Sequence, residues 1–306
     1  MSSLALAVPF GVAAACVYGT SIVVQHRCAS EHGGGDASAS GLLRLLREPA
    51  WVFAVLGDFI GFVLNAVALS IGQVVYVQPL VVLMLPVALL VHWYMGGSSP
   101  RRGDYLGCVG IFGGLAMFLA LVGEPGQQRI PHPHWVAVTV SVVLVGGALT
   151  CLAVARCGPR IRGAVYGAVA GAYFGTIAVL LDTSSDIIGR HSVHTLLFTL
   201  RGGVPLFGIV VLGVAGIVLT QISFQVGALA ATLPANMIVD PLFGVLLGAI
   251  LLHEYVPVTP AHCVAYLCCV ALITAGGIRL AEPAVEPVPG HGVSRDLVPQ
   301  SSAAPQ

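Results

Sequence analysis

Residues 229–254, LAATLPANMIVDPLFGVLLGAILLHE, constrain this chain more than any other stretch. The run is long enough to cross a bilayer as a helix rising about 1.5 Å per residue. Yet it carries Pro234 and Pro241, and near its middle Asn236 and Asp240. An aspartate at mid-bilayer costs roughly 3 kcal/mol on insertion scales, so it faces protein or water and has a purpose. Each proline removes one helical hydrogen bond and frees a carbonyl. Polar, interrupted helices at membrane depth are where secondary transporters bind their substrates.

The stretch has an echo. Shifting the numbering by 155 lays Gly227, Pro234 and Pro241 on Gly72, Pro79 and Pro86. A shift of 156 lays Gly167, Gly175 and Thr176 on Gly11, Gly19 and Thr20, so that YFGT (173–176) faces VYGT (17–20). Two separate segments giving nearly one offset identify a duplicated unit.

Apolar runs are read as nine spans: about 4–25, 51–69, 73–95, 103–122, 135–155, 163–182, 204–222, 228–252 and 260–280. The composition agrees, with 57% hydrophobic and only 8% charged residues and a mean hydropathy of +0.94. The expected fold is therefore an all-α polytopic membrane protein of about nine transmembrane helices in a 4+1+4 inverted repeat. Repeat A covers 4–122, a connector helix covers 135–155, and repeat B covers 163–280. Together they form one transmembrane domain over 1–280, with a disordered cytoplasmic tail at 281–306. An odd number of helices before the second unit inverts it in the membrane. The first run lacks a basic leader and repeats a later helix, so it is not read as a cleaved signal.

All 13 basic residues are arginines. Ten fall on one side of the nine-span arrangement and three, Arg129, Arg190 and Arg201, on the other. The positive-inside rule then places the N-terminus outside and the C-terminus in the cytoplasm, in the plasma membrane. Zero net charge gives no reason to expect nucleic acid as a partner. The expected partners are the lipid bilayer, a small-molecule or ion substrate, and a second copy of the chain in a homodimer.

Gly163, Gly167, Gly171 and Gly175 form a four-residue ridge on span 6, echoed by Gly11, Ala15 and Gly19 on span 1. Small-residue ridges let helix backbones approach in lipid. Gly244 and Gly248 are expected to do the same on span 8. The loop 28–49 ends in the amphipathic GLLRLLRE, read as a short helix on the cytoplasmic membrane surface.

No HExxH, GxSxG, DDxxD or CxxC pattern and no phosphate-cradling loop is present. An enzyme is not expected, nor is a cofactor. Most cysteines lie within apolar runs, where they behave as small hydrophobes. Polar residues at depth are few: Asp58 and Asn65 in span 2, Gln78 in span 3, Gln221 in span 7, and Asn236 and Asp240 in span 8. These are the candidate substrate-binding residues, with Asp58 and Asp240 the candidate metal ligands and Pro79, Pro86, Pro234 and Pro241 the candidate hinges. Interhelical hydrogen bonding is the plainer account of the amides; a neutral residue would serve that end at less cost than the aspartates. Asp182 and Asp186, at the end of span 6, read as a helix cap or solvated acids. His132, His134, His191, His194, His253 and His262 fall on the outer side. With Glu124 and Glu254 they could gather a divalent cation there, though loop histidines are commonly only solvated.

The segments ALSIGQVVYVQPLVVLMLPVALL and QVGALAATLPANMIVDPLFGVLLGAILLHE resemble the paired motifs of the drug/metabolite transporter superfamily. The nine spans, the short turn into a proline-bearing span 3 and the acidic residue closing span 8 are similar to its EamA-like members and closest to its NIPA-like branch. The resemblance covers roughly residues 4–280. It implies an inverted-repeat transporter with a central cavity and, for the NIPA-like branch, magnesium or a related divalent cation as cargo. The sequence departs from that branch where Gln78-Pro79 and Asp240-Pro241 replace a threonine-proline pair. Other branches export metabolites or drugs, so a proton-coupled exporter of a small polar solute is the alternative. A membrane scaffold or sensor that transports nothing is the rival from another class.

The expected topology has a direct test. Single-cysteine variants retaining Cys28 or Cys157 should escape an external, membrane-impermeant thiol reagent in sealed cells; strong labelling at both overturns the orientation.

Overall fold

A computed structural model describes residues 2–32, 47–97, 99–122, 129–226, 229–254 and 256–281. The amphipathic stretch 41–48 lies mostly, and the tail 282–306 wholly, outside the described residues. Among the described residues no strand occurs. The helices are α1 (Ser2–His32), α2 (Pro49–Ile71), α3 (Val74–Val77), α4 (Met84–Tyr94), α5 (Arg102–Val122), α6 (Pro133–Ala153), α7 (Pro159–Arg190), α8 (Val193–Phe198), α9 (Leu200–Val226), α10 (Leu229–Leu251) and α11 (Pro260–Ala281). A 3₁₀ segment, Gln78–Leu83, joins α3 to α4, and the three pieces run together as span 3. Eight segments among the described residues are long and apolar enough to cross a membrane. The portion Ala235–Leu251 of α10 is a further apolar helix, shorter than these. The chain is an integral, multi-pass membrane protein.

Helix starts follow simple chemistry. Helices α2, α6, α7 and α11 all begin on proline. Its fixed φ suits the first helical turn, and its missing N–H would have had no partner there. The sides of each helix are then sorted by size rather than polarity. In α2 the face carrying Ala54, Gly61, Asn65 and Ala68 is buried. The opposite face exposes Phe53, Leu56, Phe59, Ile60 and Val63. Small residues inside and large apolar ones outside is the arrangement lipid permits, since lipid tails give no hydrophobic drive between helices.

Neighbours come in matched pairs. Helix α1 packs against α2 and against the 3₁₀ segment and α4, while α7 packs against α9 and α10. Helices α5 and α11 pack against each other, and α6 lies at the edge on α7 and α9. The glycine ridges make the close contacts. Built onto Gly171, a Cβ would stand 3.0 Å from the Asp240 amide nitrogen; on Gly175, 2.8 Å from that of Gly244. On α1, a Cβ at Gly19 would stand 2.9 Å from Val87 Cβ, and one at Gly11 2.8 Å from Leu80 Cδ1.

Three expectations are corrected. Span 8 is not broken by proline: α10 runs through Pro241 without interruption, packed against α7, and membrane helices tolerate proline where neighbours support them. Only span 3 is interrupted, where Pro79 sits in the 3₁₀ turn and Pro86 continues into α4. Asp182 is neither a cap nor solvated, because α7 extends to Arg190 and buries it; Asp186 instead pairs with Arg190 at 3.0 Å. Cys28 is buried within α1, so the exposed Cys157 is the more telling thiol for topology.

The α7–α10 contact sets the next expectation. Gly171→Leu should abolish folding or sharply lower membrane yield, whatever the substrate, because a leucine cannot occupy a backbone-to-backbone contact. Parental yield and melting temperature would show that α7 and α10 do not touch there.

Candidate functional site

The site begins at the break in span 3. Proline at 79 has no N–H to give, and the chain tightens into the 3₁₀ turn that starts at Gln78. Gln78 is 2% exposed. It lies against Gly244 of α10: a Cβ there would stand 2.7 Å from Gln78 Cγ. In that notch Gln78 Nε2 donates to Asp240 Oδ1 at 2.8 Å. The two positions are 162 residues apart in sequence and come from opposite halves of the chain.

Asp58 has a parallel arrangement on α2. Its Oδ2 accepts from Gln25 Nε2 of α1 at 2.6 Å, and the Ser21 hydroxyl also donates to it. Ser21 is buried and lies over Gly57. Tyr18 of α1 lies near both acids, its ring against Gly61 of α2. Asp58, Tyr18, Asp240 and Gln78, drawn from α2, α1, α10 and span 3, are grouped as one polar row.

Two buried side-chain oxygens have no hydrogen-bond partner: Gln78 Oε1 in this row, and Asn65 Oδ1 on α2, seven residues along from Asp58. A buried unpaired carbonyl costs about 1–3 kcal/mol, so such atoms ask for a reason. Both are acceptors, as are the two carboxylates. The row therefore offers excess acceptors at membrane depth, which suits a cation or a donor-rich solute.

The other candidates divide. Asn236 donates from Nδ2 to Thr220 Oγ1 at 3.2 Å, tying α10 to α9, which is the packing role open to an amide. Gln221 lies in α9 and Pro234 in α10, but their side chains fall outside the described residues. The histidines do not assemble. His132 caps α6 by accepting from the His134 amide, His191 meets Arg201 and His262 meets Thr259. Among the described residues no three His, Cys, Asp or Glu side chains come together as a metal site. Glu124 lies outside them, and Glu254 turns inward.

Sequence reading missed Tyr18 and the role of Glu254. Tyr18 lies inside the VYGT echo, in which only the glycine and the threonine repeat at the shared offset. Glu254 is 4% exposed, and its Oε1 and Oε2 accept the amides of Val74 at 2.9 Å and Val75 at 2.8 Å. It thereby satisfies two backbone donors at the start of the broken span.

These features define a class, a multi-pass helical membrane protein with buried acids held by amides among its helices. No family model matches the chain, and no solved structure does. A protein of Corynebacterium glutamicum, itself uncharacterised, is 29% identical over 258 residues, spanning 83% of this chain and 87% of its own length.

The notch at Gly244 can be tested alone. Gly244→Ala should push Gln78 off Asp240 and cost roughly 1–3 kcal/mol, as overpacking does. In a Gln78→Ala background most of that cost should vanish, because the two residues share one space. Equal losses in both backgrounds, measured by thermal unfolding, would separate the pair.

Proposed function

We propose that the chain is a secondary transporter of the drug/metabolite type, moving its cargo by alternating access through the Asp58–Tyr18–Asp240–Gln78 row. One observation carries this reading: two intramembrane carboxylates, from different halves of the chain, belong to one polar row in which Gln78 Oε1 has no partner. A scaffold has no use for such groups, whose burial is costly. The sequence echo and the matched neighbour pairs support a nine-span inverted repeat, with α6 as the connector and α10, shorter in its apolar portion than the other eight, as the eighth of the nine spans. Rocking of one repeat against the other would then open the row to each side in turn. The arginine distribution supports an external N-terminus and a cytoplasmic C-terminus.

The leading cargo is a divalent cation, with magnesium the first to try, because the row offers oxygen acceptors and charge, as hard cations require. The second reading, a proton-coupled exporter of a small polar solute, is favoured by a different detail. Each carboxylate is already held by an amide rather than turned toward the other. In this reading the acids carry protons and the amides orient the solute.

Asp240→Asn separates the readings. The variant should reach the membrane yet move magnesium into proteoliposomes at least about tenfold more slowly, since charge at the site is lost. It should also lose any magnesium-induced rise in melting temperature, which a ligand of the folded state must produce. If the parent shows neither magnesium flux nor stabilisation, but solute efflux that follows a proton gradient and fails in Asp240→Asn, the second reading holds. Parental behaviour of Asp240→Asn in both assays would reduce Asp240 to a packing residue.

A further inference from the structure

Span 3 is clamped at both ends by charged side chains. At one end Arg27 of α1 donates from Nη1 to the Met95 carbonyl at 2.7 Å, closing the C-terminus of α4. At the other, Glu254 receives the Val74 and Val75 amides. The two clamps differ in origin. Arg27 belongs to the same half of the chain as span 3, whereas Glu254 arrives from the end of α10, 180 residues from Val74.

The local build aims Glu254 at its target. His253 adopts φ 58°, the left-handed region that a non-glycine residue rarely enters. This turns the chain at the end of α10, and the Glu254 amide reaches back to the Gly248 carbonyl at 3.3 Å. Gly248 leaves the room: a Cβ there would stand 2.8 Å from Glu254 Oε2 and 3.3 Å from Val74 Cβ. Val74, whose amide the carboxylate receives, and Leu252, two residues before it, belong to one buried apolar cluster with Ala68, Leu69 and Val77. A charged group in apolar surroundings is tolerated because two backbone donors meet it.

We propose that Glu254 is a gate latch: it holds the end of α10 onto the start of span 3 and keeps that end of the bundle closed. Parting α10 from α3 would expose the row beneath, and it requires both amide–carboxylate bonds to break. The latch itself follows from the contact geometry; only its part in an alternating cycle rests on the transporter reading.

The test uses nanodisc-reconstituted full-length protein, both faces open to a maleimide, with labelling rates read site by site by mass spectrometry. Val77→Cys reports on the latched end, where Val77 is 1% exposed. Leu89→Cys reports on the opposite end, where Leu89 is buried with Ile111 and Leu280. Adding Glu254→Ala should speed labelling at position 77 by about tenfold or more, because both amide–carboxylate bonds are lost and one buried charge-assisted hydrogen bond alone is worth about that factor. Glu254→Gln, which keeps size and one acceptor oxygen, should give a smaller rise, and it carries the test should the alanine variant fail to fold. A rise at 77 with a fall at 89 supports the latch and its coupling to alternating opening. A rise at 77 with no change at 89 supports the latch and removes this support for transport. A parental rate at 77 in folded variants overturns the latch. So does an equal rise at 77 and 89, because Glu254 would then only stabilise the whole fold.

Discussion

Backbone contact between α7 and α10 is what the remainder of the structure depends on. In lipid, helices gain nothing from hiding apolar surface, so they hold together by approaching closely. Gly171 and Gly175 permit that approach where α10 carries Asn236, Asp240 and Gly244. With α10 pinned, Asp240 stands at a fixed depth, Gly244 receives Gln78, and Gly248 receives Glu254. One seam of missing side chains thus positions a carboxylate, an amide and a clamp. The same seam keeps a proline-bearing helix continuous, because a bend at Pro241 would draw α10 off α7.

The sequence made much of this legible, and unevenly. Runs of Val, Leu and Ala at bilayer length announced the helices. Asp58 and Asp240 stood out because charge at that depth is expensive, a property of the residue type alone. The glycine ridges were readable by spacing, but not their partners. Tyr18 was not readable, since a tyrosine in an apolar run looks the same whether it packs on lipid or stands near two acids. Glu254 reads in the sequence as the acid closing span 8, a candidate cation ligand beside the outer histidines. Its target is the backbone of Val74 and Val75, and backbone donors leave no trace in residue identity. Asp182 failed for a related reason: polar DTSSD resembled a helix terminus, whereas Thr183 and Ser184 return their hydroxyls to the carbonyls of Val179 and Leu180 and let the helix continue.

The same chemistry explains why the polar groups are spread thinly. Gln25 serves Asp58 and Gln78 serves Asp240, one amide to each acid. An amide can donate to a carboxylate without adding charge, so each acid is solvated by protein at modest cost. Tyr18, near both, offers a hydroxyl that can give or take a hydrogen bond. The polar row therefore resembles a short, fixed piece of solvent, in which oxygens outnumber the donors available to them.

The 3₁₀ turn at Gln78–Leu83 gives the duplication a consequence of its own. Three residues per turn in place of 3.6 add roughly 20° of rotation at each step, and six residues accumulate about 120°. Span 3 leaves that turn with its faces rotated by a third of a circle relative to its uninterrupted counterpart, α10. At the shared offset of 155, Gln78 matches Leu233 and Asp240 matches Leu85. The Gln78–Asp240 contact therefore joins two positions that the offset does not pair, an amide from one half of the chain and an acid from the other. It runs one way, donor to acceptor, between a segment that has tightened into a 3₁₀ turn and one that has stayed α-helical.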